Sequence, residues 1–219
     1  MKDKLEILLS CMHQTVDIIK RSNIKCNATI VNQCDKDDKR MFEFYSNEET
    51  SMINWIDSSE RGLSRSRNMA LHSASCDYCL ISDDDEVFVD GVDKIIEKAF
   101  RDNPQSDVLI FKLNNWETKY PSHTKNVGYI QAMRTASYQI AFRRAKIVEN
   151  KIFFDEEMGS GTGAYGGSAA TGDHPEMPAF HRIGRHEWDA AVIDIGLRSL
   201  RGSRKEEKRT GKDGNRTDL

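Results

Sequence analysis

Residues 60–86, ERGLSRSRNMALHSASCDYCLISDDDE, constrain this chain more than any other stretch. They read as a glycine-opened helix, a short apolar strand and then four consecutive acids, Asp83, Asp84, Asp85 and Glu86. A buried strand of that kind delivers its last residues to the carboxyl edge of a sheet, where open α/β folds place their ligands. Four adjacent carboxylates repel one another, so a packed site needs a counter-cation. Hard ions such as Mg²⁺ and Mn²⁺ prefer oxygen ligands, and Mg²⁺ takes one or two carboxylates alongside phosphate oxygens. Asp83 and Asp85 are therefore the candidate metal ligands, and the metal would in turn hold a diphosphate. The competing reading is an acidic, solvated loop, the usual state of a charge run.

The remaining segments fit an α/β domain built around that strand. Residues 4–10 form an apolar run without a helical stripe, a buried first strand; residues 15–21 follow as a short helix and residues 28–32 as a β-branched second strand. This β-α-β opening brings Ser10, Cys11, Met12 and His13 to the same edge as Asn32, Gln33, Cys34 and Asp35. Residues 36–49 are mostly charged around a Phe-Glu-Phe-Tyr core, an alternating edge strand, and residues 52–56 are a third short strand feeding Gly62. In the helix after Gly62, Leu63, Met69 and Leu71 are assigned to the buried face, which leaves Arg65, Arg67 and Asn68 on the pocket side. Arginine suits phosphate there because its planar fork of donors matches the oxygens. Further on, residues 91–101 read as an amphipathic helix stopped by Asn103-Pro104, and residues 108–113 as a buried strand. Residues 116–127 read as a polar loop over the pocket mouth, residues 138–142 as a strand and residues 144–149 as a short helix.

These residues bring a family into view. The 60–86 stretch resembles the family 2 glycosyltransferases of the GT-A fold, whose members carry Gly-Leu-Ser-x-x-Arg-Asn and then an apolar strand ending in Asp-x-Asp-(Asp/Glu). Here Gly62, Leu63, Ser64, Arg67 and Asn68 precede Cys79, Leu80 and Ile81, and then Asp83, Asp85 and Glu86. The resemblance implies a mostly parallel central sheet flanked by helices, a nucleotide-diphosphate sugar donor, Mn²⁺ or Mg²⁺ as cofactor, and a glycan or lipid-linked hydroxyl acceptor. It also implies nucleotide contacts from Ser10, Met12, Asn32, Asp35, Gly62, Arg67, Asn68, Asp83 and Asp84. Many members have Asp-Asp-Gly-Ser after the second strand, whereas this chain has Asn32-Gln33-Cys34-Asp35; Asn32 takes the matching position and Asp35 is the substitute.

Bulk composition bears on what else the chain can be. At 219 residues, with net charge −3, it is long enough for one domain with a real core and has no global attraction to nucleic acid. A mean hydropathy of −0.64 and the absence of an apolar run of roughly 20 residues predict a cytoplasmic protein with at most peripheral contact at the inner face of a membrane. Five cysteines, an odd number, fit a reducing compartment better than a disulfide framework, and Cys76-x-x-Cys79 reads as structural.

The resemblance covers residues 5–167 and then stops, which divides the chain into a transferase-like domain, 1–167, and a divergent, irregular tail, 168–219. Gly161-x-Gly163-x-x-Gly166 matches a dinucleotide fingerprint by letter but lacks a βαβ unit after it, and in the resembled enzymes such a loop lies beside the acceptor. Family members continue into acidic residues, one of them the catalytic base, and then an amphipathic helix. This chain reads SAATGDHPEMPAFHRIGRHEW instead, with helical periodicity returning only over residues 188–200 and a charged stretch, 203–219, predicted to be disordered. Such a break is what a shifted reading frame or a fusion produces. The candidate bases left are Asp173, Glu176 and Glu187 in the tail, with Glu156 and Glu157 ahead of the glycine loop as a second source.

The function expected is that of an inverting glycosyltransferase scaffold, inactive where the base is missing. Two alternatives stand beside it: a non-catalytic nucleotide-sugar binder, and a haloacid dehalogenase-type phosphotransferase, whose nucleophile motif Asp83-x-Asp85-x-Val87 also fits.

Overall fold

A computed structural model of the chain describes residues 4–46, 49–113, 137–156 and 190–199. The chain runs β1 (Leu5–Met12), α1 (Asp17–Arg21), β2 (Asn27–Gln33), β3 (Asp38–Ser46), β4 (Glu49–Ser58), α2 (Leu63–Ser73), β5 (Tyr78–Asp83), β6 (Glu86–Val87) and α3 (Val92–Asp102), then β7 (Val108–Leu113), β8 (Ile140–Arg143), α4 (Arg144–Glu149) and β9 (Ala190–Ser199). Among the described residues the sheet order is β3-β4-β2-β1-β5-β8-β7-β9-β6. Its centre, β4-β2-β1-β5, is parallel, as expected. The flanks are not: β3 pairs antiparallel with β4, β8 with both β5 and β7, and β6 with β9, so the sheet as a whole is mixed.

The continuous apolar runs follow from burial on both faces. Along β1, Leu5, Ile7 and Leu9 point into one core with Ile18 and Ile19 of α1 and Ile96 and Phe100 of α3. Leu8 points the other way, towards Leu71 of α2 and Ile147 of α4. The result is a sheet between two helical layers. Glu6, on that second face, interrupts the run yet stays only 4% exposed. Its carboxylate accepts hydrogen bonds from the Thr29 hydroxyl and from the Ser75 and Cys76 amides, which offsets the cost of burying it.

Local signals set the helix ends. α3 starts after Gly91, whose φ of 72° lies in the left-handed region, and stops at Asn103, whose amide donates back to Ala99 O at 2.9 Å. All five cysteines are buried and free, and burial raises the thiols of Cys11, Cys26, Cys76 and Cys79. Cys76-x-x-Cys79 is thus packed as structure, without the lowered thiol a redox site needs.

Three local readings change. Residues 137–139 form a 3₁₀ turn ahead of β8 rather than the start of a strand. The segment read with helical periodicity over 188–200 contributes a strand, β9, which lies parallel to β7 with a register shift between Lys112 and Leu113. α2 is also rotated: Ser64, Ser66, Arg67, Asn68, Ala70 and Leu71 are its buried residues, while Leu63 and Met69 are only partly buried. The loop 116–127, the glycine-rich segment 161–166, the charged stretch 203–219 and the candidate bases Asp173, Glu176, Glu187 and Glu157 lie outside the described residues.

Candidate functional site

The strand registers bring the predicted residues to one edge. Ser10 lies opposite Asp83 across β1 and β5, Cys11 opposite Asn32 and Met12 opposite Gln33 across β1 and β2, and Asn32 opposite Asp57 across β2 and β4. Asp83 closes β5, and Asp84 and Asp85 form the turn into β6. All three are partly buried, whereas Glu86 is 2% exposed. The acids therefore sit at the carboxyl edge in a structured turn, not in a solvated loop.

A hydrogen-bonded chain of polar side chains runs along this edge. Asn32 accepts the Gln14 amide at 2.9 Å through Oδ1, and its Nδ2 donates to Gln14 O at 3.1 Å and to Asp57 Oδ1 at 2.8 Å. Gln14 passes the connection on: its Nε2 donates to Asp84 Oδ2 at 2.9 Å, and its Oε1 accepts Arg21 Nη2 at 2.8 Å. Asn32, 3% exposed, thus ties β1, β2 and β4 together and orients Asp84 through Gln14. At the far end Asp57 accepts Trp55 Nε1 at 2.8 Å and forms an ion pair with Lys36 at 2.8 Å. Burial pushes the Asp57 carboxyl up, but the hydrogen bonds from Lys36, Asn32 and Trp55 and the charge of Lys36 outweigh it and bring it from 3.8 down to about 2.

Because its folded value lies below its unfolded one, Asp57 adds stability that is fully present above about pH 4 and is lost as pH falls through about 2. Its contribution at neutral pH is on the order of 2 kcal/mol. Asp57→Asn is expected to be less stable than the parent by roughly that amount at pH 7, with the gap narrowing towards pH 2. Denaturant melts across that range measure it, and a gap that does not change with pH would count against the ionised carboxylate.

Helix α2 supplies the cationic side. Arg67 Nη2 lies 2.9 Å from Asp83 Oδ1, with side chains 7% and 15% exposed, and the guanidinium stands 5.6 Å from the centre of the Phe154 ring. Its Nε is buried without a hydrogen-bond partner. Gly62, at φ 125° where an L side chain is strained, opens α2 and donates its amide to Gln33 Oε1 at 2.8 Å. Asn68 is engaged with residues 154–156: Nδ2 donates to Phe154 O at 3.0 Å and to Glu156 Oε1 at 2.8 Å, while Oδ1 accepts the Phe154 amide at 2.8 Å. Asp35, with its side chain 86% exposed, pairs with Arg61 at 2.6 Å. Arg61 in turn donates to the carbonyls of Cys34, Ser58 and Ser59, stapling the exits of β2 and β4 together. Met12 and His13 are exposed beside this edge.

The donor set suits a hard cation of the Mg²⁺ or Mn²⁺ type in one specific way. Asp83 and Asp84 each have one oxygen engaged, by Arg67 and Gln14, and among the described residues no three acidic, histidine or cysteine side chains gather around a common point. An all-protein cage is therefore not what the turn offers. A cation held by one or two carboxylates and completed by phosphate oxygens and water does fit, with Asp83 and Asp85 as the candidate ligands.

Sequence and structure comparisons bear on the family and the fold. The family model described as Glycosyl transferase family 2 matches residues 5–164, most of the chain. The chain belongs to that family. Solved structures share the GT-A glycosyltransferase fold at low identity. TarS 1-349 from S. aureus superposes with a TM-score of 0.59 at 18% identity, covering 89% of this chain and 59% of that one. The same TarS fragment in complex with UDP-GlcNAc gives 0.58 at 19%, covering 89% and 57%. The mannosyltransferase PcManGT from Pyrobaculum calidifontis, in complex with GDP-Man and Mn²⁺, gives 0.53 at 10%, covering 99% and 66%. The chain thus spans less than two thirds of the length of each of these. No curated protein sequence matched. Within family 2, the haloacid dehalogenase reading also loses its footing, because its nucleophile strand comes first in the domain and β5 follows four other strands. Among the described residues, no helix is long and apolar enough to cross a membrane.

Proposed function

We propose that this chain binds a nucleotide-diphosphate sugar through a divalent cation at Asp85 and Asp83, as the donor half of an inverting sugar transfer to a hydroxyl of a glycan or lipid-linked acceptor. The observation that carries this reading is the convergence at one sheet edge of the Asp83–Asp84–Asp85 turn, the buried Arg67 paired to it and the Asn32–Gln14 network that orients Asp84. Similarity to TarS bound to UDP-GlcNAc and to PcManGT bound to GDP-Man and Mn²⁺ supports the donor class and the cation. The cation, once bound, neutralises charge on the departing diphosphate. Arg67 holds Asp83 in place and lends positive charge to the phosphate side, while Gln14 fixes the Asp84 carboxylate beside it.

In the transfer, the acceptor oxygen bonds to the anomeric carbon as that carbon's bond to the β-phosphate oxygen breaks, and the diphosphate leaves with the electron pair. A base must take the acceptor proton, and the sequence offers Asp173, Glu176 and Glu157 as candidates for it, alongside Glu156. The family match ends at residue 164, and the paired acids expected after the glycine loop are replaced by Ser168-Ala169. A second reading follows from that break: the chain retains donor binding with little turnover, a nucleotide-sugar binder. Loss of a base costs about 10² to 10⁴-fold in rate while sparing donor affinity. Calorimetry with UDP and GDP, with Mn²⁺ or with chelator, together with sugar release from UDP-GlcNAc and GDP-mannose, tests both readings. Metal-dependent binding with slow release is the expected result, equal affinity with and without metal overturns the donor site, and fast release lost on mutating Asp173 or Glu176 overturns the binder.

A further inference from the structure

Among the described residues, β3 closes the sheet on one side: β4 pairs with it along its whole length, from Asp38 opposite Asp57 to Ser46 opposite Glu49, and no strand lies beyond it. Its side chains alternate between two faces. Arg40, Phe42 and Phe44 share one, where the Arg40 guanidinium stands 5.4 Å from the centre of the Trp55 ring and the two phenylalanines pack against the core while staying only partly buried. Lys39, Met41, Glu43 and Tyr45 share the other, and all four are exposed, Met41 at 64% and Tyr45 at 72%. Arg40 pairs with Asp38 at 3.7 Å and Glu43 accepts the Tyr45 hydroxyl, whereas Lys39 has no ion pair among the described residues. A strand edge of this length, with half-covered phenylalanines and an exposed methionine, is a template for one further strand. Charges on an edge ordinarily repel such pairing, so the order of their signs decides what the edge accepts.

We propose that β3 is a dimer interface, pairing antiparallel with β3 of a second copy of this chain in a register centred on Met41. A two-fold axis perpendicular to the joined sheet keeps every side chain on its own face, so it passes beside one residue and that residue's symmetry mate. Centred on Lys39, Arg40 or Glu43, the axis sets like charges opposite each other; centred on Phe42 or Phe44, it leaves Lys39 without an acidic partner. Centred on Met41, it places Lys39 opposite the partner's Glu43 and, by symmetry, Glu43 opposite the partner's Lys39, while the two methionines meet at the axis. On the other face Arg40 comes opposite the partner's Phe42, and the two Phe42 rings become diagonal neighbours, which covers what the free edge leaves open. An isologous contact of this kind closes on itself at two copies. Because the axis reverses strand direction, the carboxyl edges of the two sheets open at opposite ends of the joined sheet.

Charge exchange tests both the contact and its register, read by equilibrium sedimentation of the full chain. Lys39→Glu and Glu43→Lys each set two pairs of like charges across the axis, and each is expected to weaken the dimer at least about tenfold. An equimolar mixture of the two single variants is expected to dimerise as the parent does. In the mixed pair the introduced glutamate at position 39 faces the introduced lysine at position 43, and the native Glu43 of one chain faces the native Lys39 of the other. The double variant Lys39→Glu/Glu43→Lys should match the parent for the same reason. Both positions are exposed, so the melting temperatures should stay close to the parent's, and recovery in the mixture requires that both variants are folded. A parent that stays monomeric at about 100 μM overturns the proposal and leaves the edge to a strand of another protein. Single variants that dimerise like the parent place the contact elsewhere, and a mixture no better than the single variants overturns the register centred on Met41.

Discussion

Asp85→Ala is expected to leave the protein folded and to weaken binding of UDP or GDP in Mn²⁺ by about 100-fold, or ~2.7 kcal/mol. Affinity in chelator should stay where it was, so the metal dependence disappears. Asp85 lies on the turn after β5 and is, with Asp83, one of the two carboxylates proposed to hold the cation. A cation that draws most of its remaining ligands from phosphate and water has little to replace that carboxylate. Asp84→Ala serves as a control with a smaller expected loss, because there the protein loses an oriented charge and not a proposed ligand. Calorimetry in matched Mn²⁺ and chelator buffers reads both. Retained metal dependence in Asp85→Ala would move the cation to another residue.

Arg67→Ala carries the other large effect, and it is an effect on stability as well as binding. With 7% and 15% side-chain exposure, Arg67 and Asp83 form a nearly buried pair, and removing one partner of such a pair costs about 3–5 kcal/mol. Melting should drop accordingly, alongside the loss of nucleotide affinity. Arg67→Met/Asp83→Asn should recover much of the melting temperature, since the stranded carboxylate is gone and the methionine refills the space beside Phe154. It should not recover nucleotide binding. A single variant that melts like the parent would mean that the ion pair is solvated.

That expectation reverses what the sequence suggested. Reading α2 by its apolar residues put Leu63, Met69 and Leu71 inward and left Arg67 on an open face, a site residue with no part in stability. The helix does bury Leu71, but beside it a polar set, Ser64, Arg67 and Asn68, also turns inward, because an ion pair and a hydrogen-bonded clasp satisfy those groups. Apolar periodicity carries no sign of partners that lie far off in the chain, and Asn68 meets Phe154 across 86 residues. The β5 acids were legible for the opposite reason: strand and carboxylates are contiguous, so one local pattern states both burial and edge. The same logic, an acid closing an apolar strand, was present at Asp57 after Ile53, Trp55 and Ile56, but a single acid carries less signal than four. Gln14 offered no signal of its own, because its role appears only once Asn32 and Asp84 are brought to the same edge.

The strand order also governs when the sheet can be completed during synthesis. β4, β2, β1 and β5 all pair within residues 5–83, so the parallel centre can form without any later part of the chain. The β7 flank waits far longer, for Ala190 pairs with Val108 and Ser199 with Glu86. Until β9 docks, β7 presents a bare hydrogen-bonding edge on the β9 side, a template for pairing with other chains. A chaperone that shields strand edges would therefore act on this protein in the interval before β9 docks.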